Sequence, residues 1–161
     1  MSLNYQHNFF EETAKQNPKR ICVSYEGKNF NYLFLDRLAN KIGNFLTSKG
    51  IEPNDRICIF TEKNINQYAS VLGTLKSGAC WVPLSSSFPK ARISYLLKVL
   101  SPKFILTEKK FFDEYFKILR KFKSNILILD SNYKGEKKVF RNSSLSKFNS
   151  NQPILKYNLS Q

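Results

Sequence analysis

Residues 75–97 read Leu75-Lys76-Ser77-Gly78-Ala79-Cys80-Trp81-Val82-Pro83-Leu84-Ser85-Ser86-Ser87-Phe88-Pro89-Lys90-Ala91-Arg92-Ile93-Ser94-Tyr95-Leu96-Leu97. The periodicity changes three times within this stretch. Gly78 stands where a helix ends. Cys80 to Leu84 is a short apolar run that reads as a buried strand, weakened or terminated by Pro83, which has no N–H to give to a ladder. Ser85 to Ser87 form a loop. Pro89 suits the first turn of a helix, where its missing N–H costs nothing. Ile93, Leu96, Leu97 and Leu100 then recur on one helical face.

The same alternation extends both ways. Upstream, residues 3–16 predict a short amphipathic helix with Phe9, Phe10, Thr13 and Ala14 on one side, stopped by Pro18. Ile21 to Tyr25 and Asn29-Phe30 predict a small hairpin around Glu26-Gly27-Lys28. Phe34, Leu38, Ile42, Phe45 and Leu46, with Leu35 and Ala39 beside them, predict a long helix with Asn31 as its N-cap and Gly50 just past its end. Arg56 to Phe60 is a compact strand. Asn64 opens a helix whose apolar positions are Ile65, Tyr68, Leu72, Leu75 and Ala79. Downstream, Pro102 stops the helix that began at Pro89. Phe104 to Thr107 is a strand, residues 109–122 a helix, and Ile126 to Leu129 a fourth strand.

Four strands separated by helices at this spacing predict the α/β class: a mostly parallel sheet flanked by helices, with right-handed crossovers. Residues 1–130 read as one such lobe. Residues 131–161, rich in Ser, Asn and Lys, read as a poorly ordered tail or linker with one short strand at Ile154 to Tyr157.

Composition narrows the function classes. The chain is 42% hydrophobic, enough for a core, and no apolar run is long enough to span a bilayer. The N-terminus lacks the basic-then-apolar pattern of a signal peptide, so a cytoplasmic chain is the expectation. Cys22, Cys58 and Cys80 are odd in number, far apart and set in apolar runs. They read as reduced, buried small hydrophobes. The formal charge of +14 invites a nucleic-acid reading. Against it, lysine far outnumbers arginine, and the charge is spread. Residues 1–100 carry 13 basic and 7 acidic residues, and residues 101–161 carry 13 and 5. No basic arm or stripe stands out.

Candidate chemistry is sparse. The one histidine, His7, lies on the N-terminal helix and reads as a surface or half-buried residue rather than a base. No glycine-flanked serine follows a strand. The six glycines never cluster into a phosphate-cradling loop. Asp55 precedes its strand, and Asp130 follows one without an acidic partner nearby, which is a turn residue's position more than a metal ligand's. Ser85 to Ser87 lie between a strand and a helix, where backbone N–H groups point outward. They read as helix capping ahead of phosphate binding.

The 75–97 stretch closely resembles an early core motif of adenylate-forming (AMP-binding) ligases, of the form L-K-A-G-x-x-Y-V-P-L-D followed by Y-P-x-x-R-I-x-Y-M-L. Phe104-Ile105-Leu106-Thr107 matches the strand that follows it in that family. Upstream, Phe30 to Leu35 stand where the family has L-T-Y-x-E-L, and Asp36 to Asn40 continue into its long helix. Gly50-Ile51-Glu52-Pro53-Asn54-Asp55-Arg56-Ile57 is similar to its G-V-x-P-G-D-R-V turn. The likeness covers residues 8–130 in order. Its wording is closer to the amino-acid-adenylating, nonribosomal peptide synthetase-like members than to fatty-acyl-CoA ligases.

What the resemblance implies is a scaffold. Gly78 allows the turn into the strand, Pro83 limits that strand's pairing, and Arg92 is expected to pair with an acidic neighbour. Two positions depart from the pattern: Ser85 replaces an acidic residue, and Phe34 replaces a glutamate. The family's phosphate loop, its magnesium-binding acid, its adenine-holding segment and its C-terminal lobe with the catalytic lysine have no counterpart in this chain. No catalytic, cofactor-binding or metal-binding residue therefore carries over. ATP and Mg²⁺ are expected only for a complete family member. The expected partners are the downstream part of such an enzyme or a carrier protein, with no membrane and no nucleic acid. The alternatives are a non-catalytic interaction module and, less favoured, a basic nucleic-acid-binding domain.

Overall fold

The computed structural model describes residues 6–132 and 138–153. The strand expected at 154–157 and the first residues of the expected N-terminal helix lie outside them. In chain order the elements are α1 (Gln6–Gln16), β1 (Ile21–Tyr25), β2 (Lys28–Asn31), α2 (Tyr32–Ser48), β3 (Arg56–Phe60), α3 (Ile65–Lys76), β4 (Cys80–Pro83), α4 (Lys90–Leu100), β5 (Phe104–Thr107), α5 (Lys109–Leu119), β6 (Asn125–Ile128), β7 (Val139–Arg141) and α6 (Asn142–Leu145). β1 and β2 form an antiparallel hairpin. The other five strands form one sheet in the order β4-β3-β5-β6-β7, parallel throughout. The α/β architecture expected from the sequence is the one found.

Local chemistry explains the boundaries. Asn31 caps α2, its Oδ1 accepting from the Phe34 N–H at 2.8 Å, and Asn64 caps α3 by accepting from the Asn66 N–H at 2.9 Å. Gly50 (φ 72°) and Gly78 (φ 79°) take the left-handed turn just past the caps of α2 and α3. Glu26 (φ 48°) and Gly27 (φ 74°) supply the paired positive φ values of a two-residue hairpin turn.

Side chains alternate across the sheet, so both faces are buried. Ile57, Phe104, Leu106 and Leu127 pack with Phe45 and Leu46 of α2 on one face. Cys58, Ile105, Ile126 and Ile128 pack with Ile93 and Leu97 of α4 and Phe112 and Leu119 of α5 on the other.

Several expectations need correction. β7 and α6 fall within residues that read as a tail. β7 has only three residues and no periodicity to announce it. It is held by pairing with β6 and by Phe140, whose ring lies 5.2 Å from that of Phe45 and 5.9 Å from that of Phe104. β4 is an edge strand and mostly exposed, not buried, which is the place where Pro83 is tolerated. α5 ends at Leu119 instead of 122. α1 turns His7, Phe10, Glu11 and Ala14 inward and leaves Phe9 60% exposed. On α2, Phe34 is exposed and Leu35, Ala39, Ile42 and Leu46 form the centre of the buried face. On α3 the buried residues are Ala69, Ser70, Gly73, Thr74 and Lys76, while Tyr68 is exposed.

This last inversion has a steric and an electrostatic cause. α3 approaches α2 so closely that a Cβ on Gly73 would lie 2.8 Å from the Ala39 carbonyl oxygen and 2.7 Å from Ile42 Cγ2. Only small side chains fit that seam. At its end Lys76, with its side chain 1% exposed, is paired with Glu11 at 2.6 Å and Asp36 at 2.7 Å. The Glu11 contact is an ion pair without the alignment of a directed hydrogen bond. Lys76 Nζ also donates to Asn40 Oδ1 at 2.8 Å. From this centre, hydrogen bonds reach the segment after α6. Asn40 Nδ2 donates to Ser150 O at 2.8 Å, and Gln152 Nε2 donates to Glu11 Oε2 at 2.9 Å. Asn44 Nδ2 adds bonds to Asn149 O and Asn151 O, both at 2.9 Å.

Replacing Lys76 by methionine keeps the length of the stem and removes the charge, leaving Glu11 and Asp36 facing each other. The expected loss is about 3–5 kcal/mol of unfolding free energy, read from the urea midpoint. A midpoint equal to wild type would show that the ammonium is not what joins the three helices.

Candidate functional site

In an open parallel sheet, ligands sit beyond the carboxyl ends of the strands, where the chain reverses its direction across the sheet. Here that point lies between β3 and β5. From β3 the chain steps to β4 on one side. It then crosses back over β3 to β5 and continues outward to β6 and β7. α3 covers one face and α5 the other, so the loops after β3 and β5 diverge around a common crevice.

Polar side chains fill this crevice. Glu108, directly after β5, is 4% exposed. Its Oε1 accepts from Asn64 Nδ2 at 2.6 Å and from Asn66 Nδ2 at 3.1 Å, and its Oε2 accepts from the Glu62 N–H at 3.1 Å. Thr107 Oγ1 donates to Phe60 O at 2.9 Å, fastening the ends of the two strands together. Above them Glu62 pairs with Lys110 at 2.6 Å, both side chains solvated. Within the crevice, the hydroxyl of Thr61 is buried without a hydrogen-bond partner among the described residues. A carboxylate held by three N–H donors is an acceptor already in use, so this arrangement clamps two loops and does not present a free base. Sequence reading missed Glu108, Asn64 and Asn66 as a group, because nothing in their spacing shows that the ends of β3 and β5 adjoin.

The singled-out residues do not converge. His7 is 8% exposed, more buried than expected, at the far side of the α2–α3 seam beside Glu11 and Lys76. Asp130 accepts from the Lys109 N–H at 2.8 Å and so satisfies the start of α5. Asp55 accepts from the Glu52 N–H at 2.7 Å and pairs with Lys103 at 2.8 Å. The serine loop does not cap α4. Pro89 holds the cap position without a side-chain bond, and Ser85 and Ser87 bond to each other at 2.7 Å. Arg92 stacks on the Phe88 ring at 4.5 Å instead of meeting an acid. Of the cysteines only Cys58 is buried, and burial pushes its thiol up to about 12. Cys22 is half-buried and Cys80 exposed, the latter on β4, an edge strand among the described residues.

An apolar groove of about 750 Å³ lies between the hairpin, α3 and β4, lined by Phe10, Val23, Tyr32, Tyr68, Leu72 and Trp81 among others. Among the described residues, no group of three or more His, Cys, Asp or Glu side chains converges as metal ligands. No helix among the described residues is long and apolar enough to cross a membrane.

Burial is the largest influence on His7 and lowers its pKa below the ordinary 6.5. The Glu11 carboxylate opposes this and the Lys76 ammonium adds to it. A base whose pKa is lower folded than unfolded stabilises the fold fully above pH 6.5 and loses that contribution as pH falls below it. The unfolding free energy is expected to fall on acidification from pH 6.5. His7→Gln should be less sensitive over that window, as measured by urea titration at a series of pH values. Equal slopes in both proteins would contradict this.

Comparison with known proteins places the chain. The family model described as AMP-binding enzyme matches residues 10–155. Surfactin synthase subunit 1 of Bacillus subtilis (strain 168) is 37% identical over 103 residues, covering 64% of this chain and 3% of that protein. Tyrocidine synthase 1 of Brevibacillus parabrevis is 33% identical over 103 residues, covering 64% of this chain and 10% of that protein. The chain thus spans a small part of its curated relatives' length. Coronafacic acid ligase from Pectobacterium brasiliense shares the fold with a TM-score of 0.84 at 21% identity, over 93% of this chain and 31% of that one. A nonribosomal peptide synthetase solved with α-methyl-L-serine-AMP bound superimposes with a TM-score of 0.72 at 24% identity, over 93% and 15%. A family match across most of the chain, on a sheet of the same architecture, shows that this protein belongs to the AMP-binding enzyme family and corresponds to the N-terminal part of an adenylate-forming ligase.

Proposed function

We propose that the chain is the opening scaffold of an amino-acid-adenylating ligase and does not catalyse adenylation on its own. A complete enzyme of this kind joins ATP to a carboxylate, giving an acyl-adenylate and pyrophosphate, and passes the acyl group to a thiol. One observation carries the reading that this chain is scaffold. At the β3–β5 crevice, where an open parallel sheet presents its reactive groups, Glu108 is consumed by Asn64, Asn66 and the Glu62 N–H. The identity to surfactin and tyrocidine synthases supports the amino-acid branch. Incubation with ATP, Mg²⁺ and a panel of amino acids is expected to release no pyrophosphate above background, and turnover by this chain would overturn the proposal.

The apolar groove favours a second, compatible role as a docking module for the downstream part of such an enzyme or for a carrier protein. Trp81 and Tyr68 are 40% and 46% exposed, and among the described residues no strand pairs with the outer edge of β4, a combination that promotes association. Light scattering on the chain is expected to show concentration-dependent association. A monomer at every concentration would remove this role.

A further inference from the structure

A second recess, of about 580 Å³, lies at the opposite end of the sheet, where β3, β5 and β6 begin. Lys98, Lys103, Lys121 and Lys123 line it, and Asp55 is its one acidic residue. The frame is fixed by backbone and short side-chain bonds. Lys103 N donates to Arg56 O at 2.9 Å, and Asn125 N donates to Lys103 O at 3.0 Å. Ser124 Oγ donates to Pro102 O at 2.5 Å, tying the α4–β5 loop to the α5–β6 loop. Ser101 (φ 43°) turns the chain out of α4 and into this frame.

The charges do not balance. Asp55 is occupied by Lys103 at 2.8 Å and by the Glu52 N–H, and the Lys103 ammonium also donates to Gly50 O at 2.7 Å. Lys98, Lys121 and Lys123 are exposed and have no carboxylate within ion-pair distance among the described residues. Three ammonium groups, one from the last turn of α4 and two from the α5–β6 loop, thus surround one concave surface whose one acid among the described residues is already neutralised. Low-dielectric walls concentrate their field there.

We propose that this recess binds a compact multivalent phosphate anion, of the size and charge of a triphosphate. Lysine serves phosphate as a flexible point charge and needs no planar fork. A bounded recess suits a small anion more than a nucleic-acid strand, which needs a continuous basic track. The site lies at the amino ends of the strands, away from the β3–β5 crevice, and does not depend on the scaffold reading above.

Titration of the chain with sodium tripolyphosphate in a calorimeter, at low and at raised salt, is the test. The variant with Lys98→Glu, Lys121→Glu and Lys123→Glu together is expected to bind about tenfold more weakly or worse. A charge-matched control with Lys19→Glu, Lys28→Glu and Lys147→Glu, all exposed positions, should bind as the parent does. No binding by the parent would overturn the proposal, as would equal losses in both variants, which would mark general attraction to a +14 chain. A single-stranded oligonucleotide bound more tightly than tripolyphosphate, and equally by both variants, would overturn it in favour of diffuse nucleic-acid binding. Lysine acetylation footprinting of the parent gives a readout independent of variant folding. Tripolyphosphate should shield Lys98, Lys121 and Lys123 and leave Lys19, Lys28 and Lys147 reactive. Uniform shielding would sink the site.

Discussion

The ammonium of Lys76 sits where three helices meet, with almost no contact with water, and much of the lobe's arrangement follows from keeping it there. A buried cation is tolerated only when opposite charge and hydrogen-bond acceptors surround it. Glu11 brings α1 to it, Asp36 and Asn40 bring α2, and Lys76 itself closes α3. The geometry is possible only because Gly73 lets α2 and α3 approach almost backbone to backbone, and Gly43 leaves room for Pro153 on the same seam. Through Asn40 and Glu11 the same cluster holds residues 150–152. The segment after α6 is therefore held both by this polar centre and by Leu145 and Phe148 packed against the core.

The sheet divides the remaining work. Its central strands are apolar on both faces and supply the two hydrophobic layers. Its carboxyl edge at β3 and β5 is closed by Glu108, Asn64 and Asn66, which hold the loops of two different crossovers in fixed relation. Among the described residues its outer edge at β4 is unpaired, beside an apolar groove.

The fold class, the element order and most of the caps were legible in the amino-acid order. The reason is that each depends on short-range chemistry. Asn31 and Asn64 satisfy N–H groups two or three residues away, Gly50 and Gly78 take conformations that other residues resist, and apolar spacing of two or three-to-four residues reports which elements have a face to bury. The family motif around Gly78 and Pro83 was legible for the same reason, since it records one helix-to-strand turn.

Only the tertiary structure decided which faces are buried and which polar groups meet. Hydrophobicity pointed to Ile65, Tyr68 and Leu72 as the inner face of α3; Ile65 and Leu72 do pack against the core, but Tyr68 is exposed, and the close approach to α2 also buries Ala69, Gly73 and Lys76. Glu11 and Lys76 are 65 positions apart in sequence, as their numbers show, and Glu108 lies more than 40 positions from the asparagines that hold it. β7, too short to show a period, exists because β6 offers an edge and Phe45 and Phe104 offer a surface for Phe140. Charge pairing and edge pairing act through space. Local sequence determines which segments become helices and strands, but the partners of a buried charge are known only once the chain has brought distant residues together.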